Sequence, residues 1–272
     1  MKKNIFIFSI ISLVISTIIT SCTKNITVTP ANASGQLVIE GNLTNVSGPQ
    51  YVMLSSNVPF YNSNKYPPVA GATVTIGDRS GNSYLLPEGP QGTYSFNPLA
   101  GAAGTTYTLK VQVNGHTYTA NSTMPSAVNL DSISAANNNS FRKSKKGNPS
   151  KTITVYYQDP AGVSNYYRFA MWVNGVQVNS IFTFDDLLSD GKYISQKLGE
   201  TDIDIYSGDT VKVEMQCIDK PLYTYWFTMM QQQGEGINGT SLAFSNPPTD
   251  IIPATLGYFS AHTTQTQIII VK

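Results

Sequence analysis

The chain has 272 residues, and its 17 Lys and Arg against 16 Asp and Glu give a formal net charge of +1. Such a balance provides no electrostatic surface for nucleic acid, so nucleic-acid binding is excluded as the main function. Charged residues make up only 12 % of the chain, whereas Tyr occurs 16 times and Gly 21 times. Low charge with many β-forming and turn-forming residues predicts a mostly β protein that works outside the cytoplasm.

Residues 1–21 are predicted to be a signal peptide. Lys2 and Lys3 precede an uncharged apolar run that extends to Thr20. A cationic start, an apolar middle and a small-residue cleavage point are typical of such segments. The run is shorter than the about 20 residues of a spanning helix, so cleavage is favoured over a permanent membrane span.

The end of this segment, Ile-Thr-Ser-Cys at 19–22, resembles the lipobox of bacterial lipoproteins. The resemblance implies cleavage before Cys22 and attachment of fatty acyl chains, such as palmitate, to its thiol and new amino group. Two or three chains hold a protein firmly at a membrane, whereas one binds marginally. The rival interpretation is a plain secretory signal, which would leave Cys22 as a free extracellular thiol. Residues 22–35 have no apolar period and are predicted to be a lipidated tether.

Residues 36–125 are predicted to form a β-sandwich of the immunoglobulin or transthyretin type. Short segments of β-forming residues alternate with turn signals, and the Asn114-Gly115 pair suits a two-residue hairpin. Residues 69–82 and 92–94 resemble the transthyretin-like and carboxypeptidase-regulatory modules. That resemblance implies a sandwich without catalytic activity.

One loop of this first domain carries three aromatic residues: Phe60, Tyr61 and Tyr66. Aromatic side chains on a long loop are favoured anchors for glycans, peptides or partner proteins. They could equally fold back and plug the end of the sandwich. Both interpretations stay open at the level of sequence, and the three residues are the predicted ligand- or partner-binding set.

The remaining chain is predicted to contain a linker and a second domain. Residues 126–150 combine a strand with a basic loop, and residues 151–272 form a β-rich domain with short helical insertions. One insertion begins at Asp185, and a longer helix is predicted near 221–233, with a proline in its first turn and Gly234 just beyond its end. The predicted fold is therefore mostly β, with two sandwich-like domains.

The sequence contains no recognisable catalytic or metal-binding motif. His116 and His262 fall on different predicted domains and lie in no His-Glu-x-x-His arrangement. Cys217 alternates with apolar residues on one face of a strand, which predicts a buried, inert thiol. We predict no catalytic residues, no metal and no cofactor.

Two groups of aspartates require separate interpretation: Asp185, Asp186 and Asp190, and Asp202, Asp204 and Asp209. Clustered carboxylates could bind calcium or supply a glycosidase pair, but neither group has EF-hand spacing. Aspartates beside turns commonly bond the local backbone instead. A structural role is therefore predicted for both groups.

An ordered set of motifs resembles a domain-of-unknown-function family of Bacteroidota lipoproteins. The set is Tyr-Tyr-Arg-Phe at 166–169, Phe-Asp-Asp at 184–186, Asp-Gly-Lys at 190–192, Gly-Asp-Thr-Val at 208–211, Tyr-Thr-Tyr-Trp at 223–226, Asn-Pro at 246–247 and Leu-Gly-Tyr-Phe at 256–259. Members are often encoded beside TonB-dependent receptors, which implies an accessory role in outer-membrane uptake. The family has no established enzymatic activity, so the resemblance supplies no catalytic residues.

Together these features predict a non-enzymatic lipoprotein of the outer membrane. Its expected partners are the membrane, through the lipid on Cys22, a TonB-dependent β-barrel transporter, and a glycan or peptide ligand. One alternative is a fimbrillin-like structural or adhesive subunit, also a lipoprotein of two sandwich domains. A weaker alternative is a glycan hydrolase that uses the aspartate groups.

Overall fold

Fifteen strands and one helix form the regular structure of the described residues. The computed structural model of the chain describes residues 35–59, 65–138, 150–200, 202–233 and 245–272. In chain order the elements are β1 (Leu37–Thr44), β2 (Gly48–Ser56), β3 (Thr73–Asp78), β4 (Ser83–Leu86), β5 (Thr93–Leu99), β6 (Thr106–Val113), β7 (His116–Thr123), β8 (Leu130–Asn137), β9 (Lys151–Gln158), β10 (Tyr166–Val173), β11 (Val176–Gln177), β12 (Phe182–Asp185), β13 (Tyr193–Leu198), β14 (Thr210–Ile218), α1 (Lys220–Gln233) and β15 (Leu256–Ile270). The predicted mostly β, sandwich-like fold is confirmed.

The strands form one large sheet and two small ones. The large sheet has the order β11-β10-β14-β15-β1-β2-β5, with β12 also paired to β10. The small sheets have the orders β13-β9-β8 and β4-β3-β6-β7. Alternating burial along β6 is typical of strands with one face on a core and one in water. The predicted Asn114-Gly115 hairpin is present and Asn174-Gly175 forms a second one, since Asn114 and Asn174 have φ values of 51° and 50°.

Each small sheet packs on one half of the large sheet and encloses a separate core. The first core contains Ile39, Val74 and Leu109, from strands on both sides of the interface. The second contains Val155, Phe169 and Met215. Aliphatic and aromatic side chains from facing sheets thus meet in two sandwich layers, as the alternating pattern requires.

The C-terminal strand β15 joins these two halves. It pairs in parallel with β1 and antiparallel with β14, so one continuous sheet covers both cores. Phe259 of β15 belongs to the first core, and Val271, just beyond its end, belongs to the second. The parallel pairing brings a Cβ built on Gly257 to 1.9 Å from the Ile39 carbonyl oxygen, and Gly257 has a φ of +100°. Only glycine fits this position.

Two features of the described chain cross the boundaries that were predicted for the linker at residues 126–150. Residues 35–272 include a C-terminal segment that returns to the first core, so the described chain is one compact unit. Within the predicted linker, β8 pairs with β9 and helps to cover the second core. The basic loop that follows β8 lies outside the described residues.

The helix α1 packs on the face of the large sheet that points away from the two cores. Leu222 is buried there with Ile218 and Tyr258. Asp219 precedes the helix and its Oδ1 accepts a bond of 3.2 Å from the Leu222 amide, which is the expected geometry of an N-cap. The predicted helix near 221–233 is confirmed. No helix within the described residues has the length and apolarity to cross a membrane.

The short helix predicted to begin at Asp185 is wrong. Asp185 ends β12, and two successive turns follow, with the Ser189 amide bonded to the Asp186 carbonyl at 2.8 Å and the Lys192 amide to the Ser189 carbonyl at 3.0 Å. Gly191 then has a φ of 69°. A positive φ ends any helical run, and the side chains of Asp186 and Asp190 accept bonds from backbone amides in the connection between β9 and β10.

Candidate functional site

The outer face of the large sheet carries the candidate site. Along β10, Tyr167 and Phe169 point into the second core, so Arg168 and Ala170 point to the opposite face. Two cavities lie there, of about 320 and 250 Å³, and both are lined by Arg168, Ala170 and Gln177. We call them the helix-side cavity and the strand-side cavity, and together the sheet-face cleft.

The helix-side cavity lies between the sheet, α1 and the segment that connects β11 to β12. Its lining includes Trp226 of α1 and residues 178–181 of the connection. Gln233, the last residue of α1, donates to the Asn179 carbonyl and accepts from the Ile181 amide, each at 2.9 Å. The Asn179 amide also donates to Asp202 Oδ2 at 2.8 Å. These bonds hold the wall of the cavity in place without a ligand.

The strand-side cavity lies over the middle of the large sheet. Besides Arg168 and Gln177, polar side chains of three further strands line it: those of β1, β14 and β15, which include Thr44, Glu214, Gln216 and His262. The antiparallel register places Gln216 opposite Arg168 on the neighbouring strand. The two cavities therefore meet at Arg168.

Arg168 is the one side chain whose polar groups the protein satisfies incompletely at this site. One terminal nitrogen, Nη1, donates to Gln216 Oε1 at 2.8 Å, and the guanidinium carbon lies 4.0 Å from the ring centroid of Trp226. Its Nε is buried and has no hydrogen-bond partner among the described residues. Burial lowers the pKa of Arg168, while Tyr258 and Glu214 oppose that change. The guanidinium remains charged, since arginine does not lose its proton in proteins.

His262 lines the strand-side cavity together with this arginine and is neutral at pH 7. Only 2 % of its surface is exposed, and its Nδ1 lies 2.8 Å from Ser260 Oγ. Burial, with the positive charge of Arg168 as a smaller cause, lowers the pKa of His262 to about 4. Ser260 is only 1 % exposed, so its hydroxyl does not reach the cavity as a nucleophile would have to. The pair supports the sheet and does not form an accessible serine–histidine dyad.

Both tryptophans of the chain line the sheet-face cleft. Trp226 stacks on Arg168, and the ring of Trp172 lies 3.6 Å below the Lys212 ammonium. The sequence did not predict this cleft as a site, although Arg168 and Trp226 both belong to the motifs that resemble the family. A signal was present: Arg168 interrupts a run of aromatic and apolar residues at the position that alternation directs away from the core.

A second cluster of charge lies at the turns after β9 and β12. Oxygens of Asp159, Asp186 and Asp190 lie within 4.8 Å of one another, close enough for one cation to contact all three. Asp159 accepts from the Tyr167 hydroxyl and, at 3.0 Å, from the Gly191 amide. Sequence reasoning missed Asp159, because it lies 27 positions before Asp186 and 31 before Asp190.

The other members of this cluster also accept bonds from backbone amides, which lie in the connection between β9 and β10. Asp186 accepts from the Asn165 amide and Asp190 from the Gly162 amide, each at 2.7 Å. Asp185, which the sequence grouped with them, instead accepts from the Tyr223 hydroxyl at 2.9 Å. These contacts favour the structural interpretation of the first aspartate group.

The second aspartate group does not converge on one point among the described residues. Asp209 accepts from the Tyr206 amide at 2.7 Å, within its own turn. Asp202 bonds the wall of the helix-side cavity, and Asp204 accepts from the Tyr206 hydroxyl at 3.2 Å. Each side chain holds a separate piece of backbone or a neighbouring ring.

The other predicted site residues lie away from the cleft or outside the described residues. Cys22, Phe60 and Tyr61 are among the residues that the structure does not describe. Tyr66 is described and is 56 % exposed, so this side chain does not plug the sandwich. Cys217 is buried without a disulfide, and burial raises the pKa of its thiol, as expected of an inert cysteine.

Comparison with models of protein families gives a match over most of the chain. A family model described as "Domain of unknown function (DUF4249)" matches residues 23–268, which is most of the chain. The match covers both cores, α1 and the sheet-face cleft. No curated protein matches the chain significantly.

Proposed function

Because the chain belongs to the DUF4249 family of domains of unknown function, we propose from its own residues that it is a non-enzymatic, lipid-anchored binding protein of the outer membrane. The observation that carries the binding role is the sheet-face cleft. Its walls are held by bonds from Gln233, and its polar groups converge on a partly satisfied arginine. Concave sites with a few convergent polar groups are the usual place for a small ligand.

Membrane anchoring is inferred from the lipobox at residues 19–22. Acyl chains on Cys22 would hold the folded unit at the membrane surface through the short segment before β1. The resemblance to lipoproteins encoded beside TonB-dependent receptors supports a transporter as partner. In this role the protein would hold a ligand close to the barrel that imports it.

Binding is favoured over hydrolysis because the candidate acid and base side chains are already hydrogen-bonded or buried. Asp159, Asp186 and Asp190 are engaged by backbone amides and by a tyrosine. A general acid or base instead needs a proton-accepting group within reach of substrate at a suitable pKa. His262 is buried and already neutral well below pH 7.

Co-purification from native membranes tests this proposal. The full chain and its Cys22→Ala variant, each with a C-terminal tag, are isolated in mild detergent, and the recovered proteins are identified by mass spectrometry. We expect acylated Cys22 in the wild type, together with a β-barrel transporter. The variant should be soluble and recover little transporter, because it is not concentrated at the membrane.

Recovery of the acylated wild type alone would contradict the transporter partnership. An unmodified Cys22 thiol on a soluble secreted protein would contradict the anchor. The two outcomes are read in the same preparation and are independent of each other.

A further inference from the structure

We propose that the helix-side cavity binds the carboxylate of a small organic acid, with Arg168 as the anchor and Trp226 as the wall beside it. This inference rests on the proposed binding function and specifies the ligand's chemistry. Three observations carry it: the donors that Arg168 leaves unpaired, the charge of the lining, and the shape of the cavity.

The first observation concerns the geometry of the guanidinium. Gln216 takes Nη1, while the buried Nε has no acceptor among the described residues. The Nε–H and the neighbouring Nη2–H of arginine form a planar fork that matches the two oxygens of a carboxylate. A buried donor without an acceptor destabilises the protein, and a ligand oxygen would remove that penalty.

The second observation concerns charge. Arg168 is the one charged side chain among the residues that line the helix-side cavity, the others being apolar, amide or hydroxyl side chains. Glu214 lies at the strand-side cavity, where it accepts from Gln216 Nε2 at 2.7 Å. A ligand in the helix-side cavity would therefore meet one positive charge, that of Arg168, and no negative charge in the lining. A single guanidinium suits a monoanion better than a phosphate, which is usually bound by several cations or backbone amides.

The third observation concerns shape and surroundings. The cavity of about 320 Å³ lies at the small end of the usual range for ligand sites, and Val178, Ile181 and Trp226 form part of its wall. Asn179 and Ser180 add polar atoms at the same wall. An acid with a compact ring or short apolar body would place its carboxylate at Arg168 and its body against this wall. The wall is already held by Gln233, so the rearrangement that binding requires is limited to uncovering the buried Nε of Arg168.

Intrinsic fluorescence provides a direct readout, because both tryptophans lie at the cleft. In the Trp172→Phe full chain, Trp226 is the one remaining tryptophan. This protein is titrated with benzoate and galacturonate, with benzamide and galactose as matched neutral compounds, and with inorganic phosphate as a different anion. We expect a saturable change in emission with at least one carboxylate and no saturable change with its neutral counterpart or with phosphate.

Two substitutions test the assignment of the anchor in the same background. Arg168→Met removes the guanidinium and should weaken carboxylate binding about 10- to 100-fold, because a charge-assisted bidentate pair is lost. Gln177→Glu adds a negative charge to an exposed residue of both cavities and should weaken binding without removing any structural contact. Gln112→Glu, on an exposed position of β6, makes the same charge change away from the cleft and should leave the affinity unchanged.

An equal response to benzamide or galactose, or tighter binding of phosphate, would overturn the carboxylate assignment. Saturable carboxylate binding that Arg168→Met and Gln177→Glu leave unchanged would place the site elsewhere. The membrane co-purification distinguishes the failure of this inference from the failure of the proposed function. If the wild type recovers the transporter but binds neither acid, the carboxylate assignment alone is wrong. If the wild type recovers no transporter, the proposed function itself is wrong.

Discussion

The aspartate cluster and Arg168 lie on opposite sides of β10, and both contain charged side chains that are partly or wholly buried. At the aspartates, backbone amides and the Tyr167 hydroxyl supply donors to the carboxylate oxygens. At the arginine, one nitrogen is paired and another is buried without an acceptor. Proteins satisfy nearly all buried polar groups, so the difference distinguishes the aspartates, which stabilise the fold, from the arginine, for which we propose a ligand.

The comparison also explains why three aspartates do not make the stronger candidate for a site. Their bonds fix the turns at Asn165 and Gly191, and this accounts for the close approach of the carboxylates without any ligand. Arg168 has no equivalent structural explanation. Four predictions test this contrast, beginning with the largest expected effect.

Removing Asp159 should destabilise the protein strongly. Asp159→Ala leaves the buried Tyr167 hydroxyl and the Gly191 amide without their acceptor. We expect a loss of about 3 kcal/mol in the free energy of unfolding, the sum of two orphaned donors and a small cavity. Urea denaturation with a chelator present measures it, so that no bound cation contributes. A loss below about 1 kcal/mol would contradict the structural interpretation of the cluster.

Acidification should reveal the burial of His262. Its pKa is about 4 in the folded protein and 6.5 in the unfolded chain, so the unfolded state takes up the proton first as the pH falls. The stability that neutral His262 contributes is thus complete above about pH 6.5 and decreases as the pH falls towards 4. Relative to His262→Gln, the wild type should lose about 2 kcal/mol between pH 7.5 and 5.

Asp250 acts in the opposite direction over this range and must be controlled. Burial raises its pKa to about 6, so its contribution is present at low pH and is lost as the pH rises through 6. Asp250 is common to the wild type and His262→Gln, and its effect cancels in their difference. Parallel pH profiles for the two proteins would mean that His262 is not buried in its neutral form.

Replacing the arginine should cost little stability, in contrast to Asp159. Arg168→Met keeps the packing against Trp226 and removes the buried unpaired Nε, while Gln216 loses its donor. These effects oppose each other, so we expect a change of less than about 1 kcal/mol in the free energy of unfolding. A loss comparable to that of Asp159→Ala would show that Arg168 is a structural residue, and the contrast would then fail.

The smallest effect is expected at the exposed member of the aspartate cluster. Asp190→Asn retains an oxygen for the Gly162 amide and removes one of three neighbouring negative charges. The free energy of unfolding should change by no more than about 0.5 kcal/mol, in the stabilising direction at low salt. Thermal unfolding with and without added salt measures both the size and the screening.

Local patterns were sufficient for most strands, for the Asn114-Gly115 hairpin and for α1, because each depends on side-chain period or on the conformational freedom of one or two residues. They did not predict β12 or β13. They were insufficient for the short helix after Asp185. There, a local preference for helix loses to bonds that the aspartates make with distant backbone, such as Asp186 with Asn165. They also could not identify Asp159 as the third member of its cluster.

Sequence by itself determined the mostly β character, most of the strands and the burial of Cys217, since these follow from composition and alternation. Only the tertiary structure decided that β15 returns to pair with β1, and that α1 lies over β10 to place Trp226 against Arg168. The physical reason is that alternation specifies which face a residue occupies, whereas strand order and helix placement depend on contacts between residues far apart in the chain.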